Sequence, residues 1–307
     1  MNDTKKFVLY TTVFFYFSLL QPACVKTNES LQSSLPEIFL PEGASAEWIL
    51  PPLKKELLPQ DGWKDLRFSV DSSGHVWLSH NRSEIINPAD SIRFQVKGGF
   101  DDFIVLERAL VFSTDTDLAV IPSLAEKAEH GLVPIVTLQP LTRLPVREAR
   151  LFPLKGSSFY IAGSSLDGRN FKIYLRRKLM LKNLFITDVP VSAVAGNGEK
   201  TYAAMGGVIV ELKPGAKEAD VIFTHPRADI TSLAYSGDGG LFYSTAEGVG
   251  CIGAGGSSEF IKASSPIITI RKEILYVLLQ SSLGVLKIIG IDKLKNVVSN
   301  QPVPHSN

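Results

Sequence analysis

Apolar and polar positions alternate through residues 47–298 in short runs, and each run is cut off by Gly, Asp, Asn, Ser or Pro. Period-two stretches between turn residues predict many short β-strands. The best helical periodicity, residues 123–130, is short. Several strand candidates recur in a set order. Residues 230–236, the turn Gly237-Asp238-Gly239, residues 241–245 and residues 248–252 are matched by 191–195, Gly196-Asn197-Gly198, 201–204 and 207–210. The order returns at 267–270, 275–278 and 284–286, and at 66–70, 71–74 and 76–79, with weaker copies centred on 109–112 and 158–161.

Aligning the second strands puts Trp77, Val111, Tyr160, Tyr202, Tyr243 and Tyr276 in one column, at intervals of about 33 to about 49 residues. A four-stranded sheet with two apolar faces cannot bury both alone, so sheets of this repeat length pack around an axis as propeller blades. The column residue then fills the space between blades, and turns tolerant of positive φ join first to second strands. The pattern predicts an all-β, six-bladed β-propeller over residues 47–298. Seven blades is the alternative if the interval from Val111 to Tyr160 hides one, and a β-sandwich is the bland rival. The isolated run Glu47-Trp48-Ile49-Leu50 is expected to complete the last blade beside residues 285–289, because an unclosed edge invites aggregation.

The runs Val70-Asp71-Ser72-Ser73-Gly74-His75-Val76-Trp77-Leu78, Tyr235-Ser236-Gly237-Asp238-Gly239-Gly240-Leu241-Phe242 and Glu247-Gly248-Val249 resemble secreted β-propellers of the NHL, YVTN and two-component-regulator type. The likeness covers most of residues 47–298 and implies a fold. Trp-Asp repeat signatures are missing.

The N-terminus adds a destination. Lys5 and Lys6 precede a short apolar run over residues 7–20, then Gln21-Pro22-Ala23-Cys24 and a polar stretch. This describes a secretory signal peptide over residues 1–23, the run being too short for a membrane span. The Ala23-Cys24 junction resembles that of bacterial lipoproteins, which implies lipidation of Cys24; Gln21 stands where leucine is usual, and ordinary cleavage nearby is the alternative. Residues 24–46 read as a flexible tether and 299–307 as a disordered tail. Cys251 reads as a small buried hydrophobe.

With 307 residues, 45% of them hydrophobic, the chain has material for a large core. Its 32 basic and 31 acidic side chains leave a net charge of +1, which argues against a general nucleic-acid binder. Two cysteines exclude a disulfide miniprotein and an all-cysteine zinc module.

Candidate chemistry is sparse. Residues 248–253 satisfy G-x-G-x-x-G, but Ala254-Gly255-Gly256 cannot open the helix that a phosphate site needs. The five histidines form no zinc-protease motif, there is no G-x-S-x-G elbow, and Asp115 with Asp117 lacks the rest of a calcium loop. The basic stretch 176–182 reads as an outer edge strand rather than a lipid contact. Loops carrying the chain from one blade to the next surround the channel at one rim, and a concave mouth with converging polar groups is the default binding site. Trp63, Asp101, Asp188, His225, Arg227 and Asp229 fall on such loops.

The expected function is therefore a non-enzymatic binding or assembly module of the bacterial envelope, periplasmic or outer-envelope, without metal or cofactor. Its partner would be an envelope protein or a glycan, with no nucleic acid, and with membrane contact only through a lipid on Cys24. The alternative resembles secreted propeller lactonases or lyases with a channel metal. It is disfavoured because the inner strands read as mainly small or apolar.

Overall fold

A computed structural model describes residues 36–50, 65–90, 92–106, 109–121, 133–213, 218–253, 256–280 and 283–294. The signal segment, Cys24, Trp63, the helical stretch 123–130 and the tail lie outside the described residues. Six sheets form the blades of a propeller, each built on four antiparallel strands. The inner strands, in blade order, are Arg67–Val70, Asp102–Val105, Val146–Pro153, Ala193–Gly196, Ile230–Tyr235 and Ile267–Arg271. Each inner strand neighbours the next and the last returns to the first, so the ring is closed.

Closure is made by Ser45–Leu50, which pairs antiparallel with Gly284–Ile289 and places Trp48 opposite Leu286. The last blade thus takes its outermost strand from the front of the chain. Among the described residues, the long interval after Val111 holds no seventh blade. Gln139–Arg143 completes blade two, and Ile135–Val136 adds a parallel fifth strand to blade one. The tether reading needs correction at its end: Glu37–Ile38 pairs with Gly256–Lys262 as a fifth strand of blade five. The cause is burial, because Ile38 and Leu40 pack onto the apolar seam between blades five and six.

The apolar core is divided into six clusters, one at each seam between neighbouring blades. Trp77, Val111, Tyr160, Tyr202 and Tyr276 each face the following blade, as the column predicted. Blade five departs: Phe242 fills the seam to blade six, while Tyr243 faces back to blade four. Adjacent strand residues point to opposite faces, so a shift of one position in the alignment reverses the side.

Gly248–Gly253 is the third strand of blade five, and its glycines have a steric reason. A Cβ on Gly250 would lie 2.4 Å from the Tyr243 ring, and one on Gly248 would lie 2.2 Å from the carbonyl oxygen of Ile261. Cys251 is buried in the same strand. Met180–Thr187, which follows the basic turn, is the outer strand of blade three.

Inner strands leave one backbone edge facing the axis, and hydroxyls from neighbouring blades bridge to it. Ser69 Oγ accepts from the Val105 N–H at 3.0 Å, and Ser232 Oγ accepts from the Ile268 N–H at 3.1 Å. Ser192 Oγ donates to the Ile230 carbonyl at 2.6 Å, and Ser113 Oγ donates to that of Ala149. These bonds satisfy groups that burial would otherwise leave unmade, at a cost of about 1–3 kcal/mol each.

Candidate functional site

A cavity of about 500 Å³ lies on the axis, walled by residues from all six inner strands. It reaches the rim at Asp65, Ser265 and Pro266, where the interblade loops deliver the chain to inner strands. Its wall is not uniform. Blades one, two and three contribute Arg67, Asp102 and Arg150, whereas blades four, five and six contribute mainly apolar and hydroxyl side chains.

Asp102 opens the inner strand of blade two and is buried. Its Oδ1 accepts from the Phe103 N–H at 2.9 Å, and its Oδ2 accepts from the Leu151 N–H of blade three at 2.8 Å. Arg67 Nε lies 3.4 Å from Asp102 Oδ1. Arg150, half-buried, donates to the Ser192 carbonyl of blade four, and its guanidinium stands 5.4 Å from the Phe152 ring centre. The Nε atoms of Arg67 and Arg150 are buried without a hydrogen-bond acceptor.

Burial pushes the Asp102 carboxyl above its ordinary range, against the pull of the Arg67 and Arg150 guanidiniums and of the two N–H donors. Burial also lowers Arg150, with Asp102 opposing and Arg67 adding to the effect. The site therefore holds a carboxylate whose ionisation is balanced between desolvation and two cations. Such balance is what acid–base chemistry uses.

The rim residues are dispersed. Asp101, half-buried, stands 3.7 Å from Arg82. Its Oδ2 is buried without a hydrogen-bond partner, and burial raises its carboxyl while Arg82 opposes. Asp188, Arg227 and Asp229 are exposed. The His225 ring accepts the Ala228 N–H on Nδ1 at 3.0 Å, places Nε2 3.3 Å from Glu259 on the outer strand of blade five, and meets the Tyr243 ring edge-on at 5.9 Å. None of these five lines the cavity, and Trp63 lies outside the described residues. The reason is radial. An interblade loop starts at the periphery and ends at the axis, so His225, just after the outer strand Ala219–Thr224, stays outside. Asp101 and Asp229 each stand one residue before an inner strand, and neither lines the cavity.

The trio missed at the level of sequence left one signal: charges within inner strands of three successive blades. Arg67 and Asp102 hold the first strand position, but Arg150 follows a bulge between Arg147 and Arg150 that breaks the alternation.

A channel metal does not fit this donor set. Among the described residues, the one inner-strand carboxylate that lines the cavity, Asp102, already accepts two backbone N–H bonds and faces two guanidiniums, which would repel a divalent cation. Among the described residues, no group of three or more His, Cys, Asp or Glu side chains is placed to hold one.

No family model and no curated protein matches the chain. Solved structures do. A luciferin-regenerating enzyme matches with a TM-score of 0.58 and 12% identity, over 81% of this chain and 96% of its own. A gluconolactonase from Xanthomonas campestris matches with a TM-score of 0.54 and 9% identity, over 86% and 93%. A streptogramin B lyase matches with a TM-score of 0.51 and 12% identity, over 80% and 97%. At these identities the likeness is one of fold. The expectation of a non-enzymatic module is nonetheless corrected: these propellers of matching architecture are enzymes by name. Its sequence argument, that the inner strands are small or apolar, fails at Arg67, Asp102 and Arg150.

Proposed function

We propose that the chain is an enzyme of the lactonase or lyase type that works in the central channel, with Asp102 as base and the Arg67 and Arg150 guanidiniums meeting developing negative charge. Fold alone does not choose a chemistry. The observation that carries the reading is a buried carboxylate set between two guanidiniums in the wall of an open cavity. The gluconolactonase and lyase names among propellers of this architecture support it.

Lactone hydrolysis and C–O elimination make the same demands. In hydrolysis, Asp102 takes a proton from water as the water oxygen bonds to the carbonyl carbon. The negative charge on the carbonyl oxygen then faces a guanidinium. Collapse breaks the ring C–O bond, and the departing oxygen recovers the proton from Asp102. In elimination, Asp102 takes a C–H proton beside a carbonyl, the freed electron pair forms a C=C bond as the C–O bond breaks, the carboxylate that leaves meets the guanidinium, and Asp102 gives its proton to water. A positioned base contributes about 10²–10⁴-fold, and one preorganised donor at the oxyanion contributes about 10²–10³-fold.

The test is turnover of five- and six-membered lactones and of an ester prone to elimination, in buffer containing a chelator. Wild-type protein should exceed the spontaneous rate, and Asp102→Asn should lose about 10²-fold or more in kcat/KM with an unchanged circular-dichroism spectrum. Only the ionised carboxylate takes a proton, so kcat/KM should fall as pH is lowered. Because burial raises Asp102, that limb should lie above the ordinary carboxylate value of about 3.9. Wild type without turnover on either class, or Asp102→Asn equal to wild type, sinks the reading.

We also place the protein outside the cytoplasm, on the leader-like residues 1–23 and the Ala23-Cys24 junction. Mass spectrometry of the mature chain should find a new N-terminus at or near residue 24, lipid-bearing if it is Cys24. An intact Met1 would refute export.

A further inference from the structure

We infer that the channel recognises the carboxylate of a small amphipathic organic acid, with its charged end on Arg67 and Arg150 and its apolar body against blades five and six. This deepens the enzyme reading and rests on the channel being the working site. The cavity wall carries an excess of positive charge. The charged residues lining the cavity are Asp65, Arg67, Asp102 and Arg150. Asp65, at the mouth, is paired with Arg82 at 3.4 Å, outside the lining. That leaves two guanidiniums against the Asp102 carboxylate, one positive charge in excess in the wall of the cavity. A monoanion balances it; a doubly charged phosphate would overshoot.

Arg67 Nε–H stands 3.4 Å from Asp102 and Arg150 Nε–H has no hydrogen-bond acceptor, while both guanidiniums line the cavity, and a carboxylate supplies acceptor oxygens of the geometry that guanidinium prefers. On the opposite wall, Tyr235 of blade five and Ile267 and Ile270 of blade six are half-buried and line the same cavity, so they keep apolar surface for a ligand. A cavity of about 500 Å³ suits a small molecule rather than a polymer. Head and body must therefore share one compact ligand.

Isothermal titration of the resting full-length protein with 4-phenylbutyrate, its neutral amide, acetate and inorganic phosphate tests this. The acid should bind at least about tenfold more tightly than the amide, which lacks the charge, and than acetate, which lacks the body. Arg150→Gln should erase the difference between acid and amide. The comparison within wild type stands even if that variant folds poorly. Equal binding of acid and amide overturns the inference, as does phosphate binding as tightly as the acid. Acid selectivity without turnover of any lactone or ester would support the inference and fail the enzyme reading. Turnover of neutral lactones without acid selectivity would do the reverse.

Discussion

Asp102→Ala is expected to lower the unfolding free energy by about 3–5 kcal/mol, the loss seen when one partner of a buried charge pair is removed. The side chain is buried, and it ties two blades together through its bond to the Leu151 N–H. Alanine would strand that donor and the Phe103 N–H, and would leave Arg67 and Arg150 as like charges with no anion between them. The raised carboxyl shows that burying this charge is itself costly. The loss therefore comes from what is orphaned, more than from the net worth of the pair. Asp102→Asn should cost less, because its amide oxygen can still accept one of the two N–H bonds. Adding Arg67→Met to Asp102→Ala should recover part of the loss, by removing one stranded cation. Urea denaturation at fixed pH measures all three. A loss below about 1 kcal/mol for Asp102→Ala would mean that the trio is solvated and carries no load between blades.

Gly284→Ala is expected to undo the closure of the ring. A Cβ there would lie 2.1 Å from a carbon of the Trp48 indole, a separation no packed side chain tolerates. Trp48 sits on Ser45–Leu50, the strand that completes blade six, and it packs on the seam between blades five and six. Relief requires moving the indole or undocking the strand. Overpacking of this kind costs about 1–3 kcal/mol, and undocking would add the exposure of the Gly284–Ile289 edge. For a ring of this size, each kcal/mol corresponds to roughly 2–4 °C in melting temperature. Thermal unfolding should show the drop, and limited proteolysis should cut the variant within residues 36–50 faster than wild type. Trp48→Leu combined with Gly284→Ala should recover most of the loss, since the smaller side chain vacates the clash. Strict additivity of the two substitutions would show that the indole is not the cause.

Much of the ring was legible in the sequence because a blade is a local object. Its strands follow one another through hairpins, so alternation and turn residues report it directly. The closing strand was legible because residues 47–50 form an isolated extended run with no local partner. The column failed only in blade five, where Phe242 and Tyr243 adjoin: either suits an interblade position, and the neighbouring sheets decide which way each points. The site was far less legible. Asp101 and Asp102 are identical in type and adjacent in sequence, yet one turns to Arg82 and the other to Arg67. Arg150 was hidden by the bulge before it, and His225 read as a rim residue because radial distance leaves no mark on a loop.

Sequence by itself determined the strand content, the repeat and the strand that shuts the circle, all set by interactions within a repeat or by a run without a local partner; it left six or seven blades open, and the sheets decided six. Tertiary structure alone decided that a carboxylate from blade two and guanidiniums from blades one and three share a single pocket. Residues that converge from separate repeats obey no spacing rule, because their meeting is fixed by where each sheet places its inner edge around the axis.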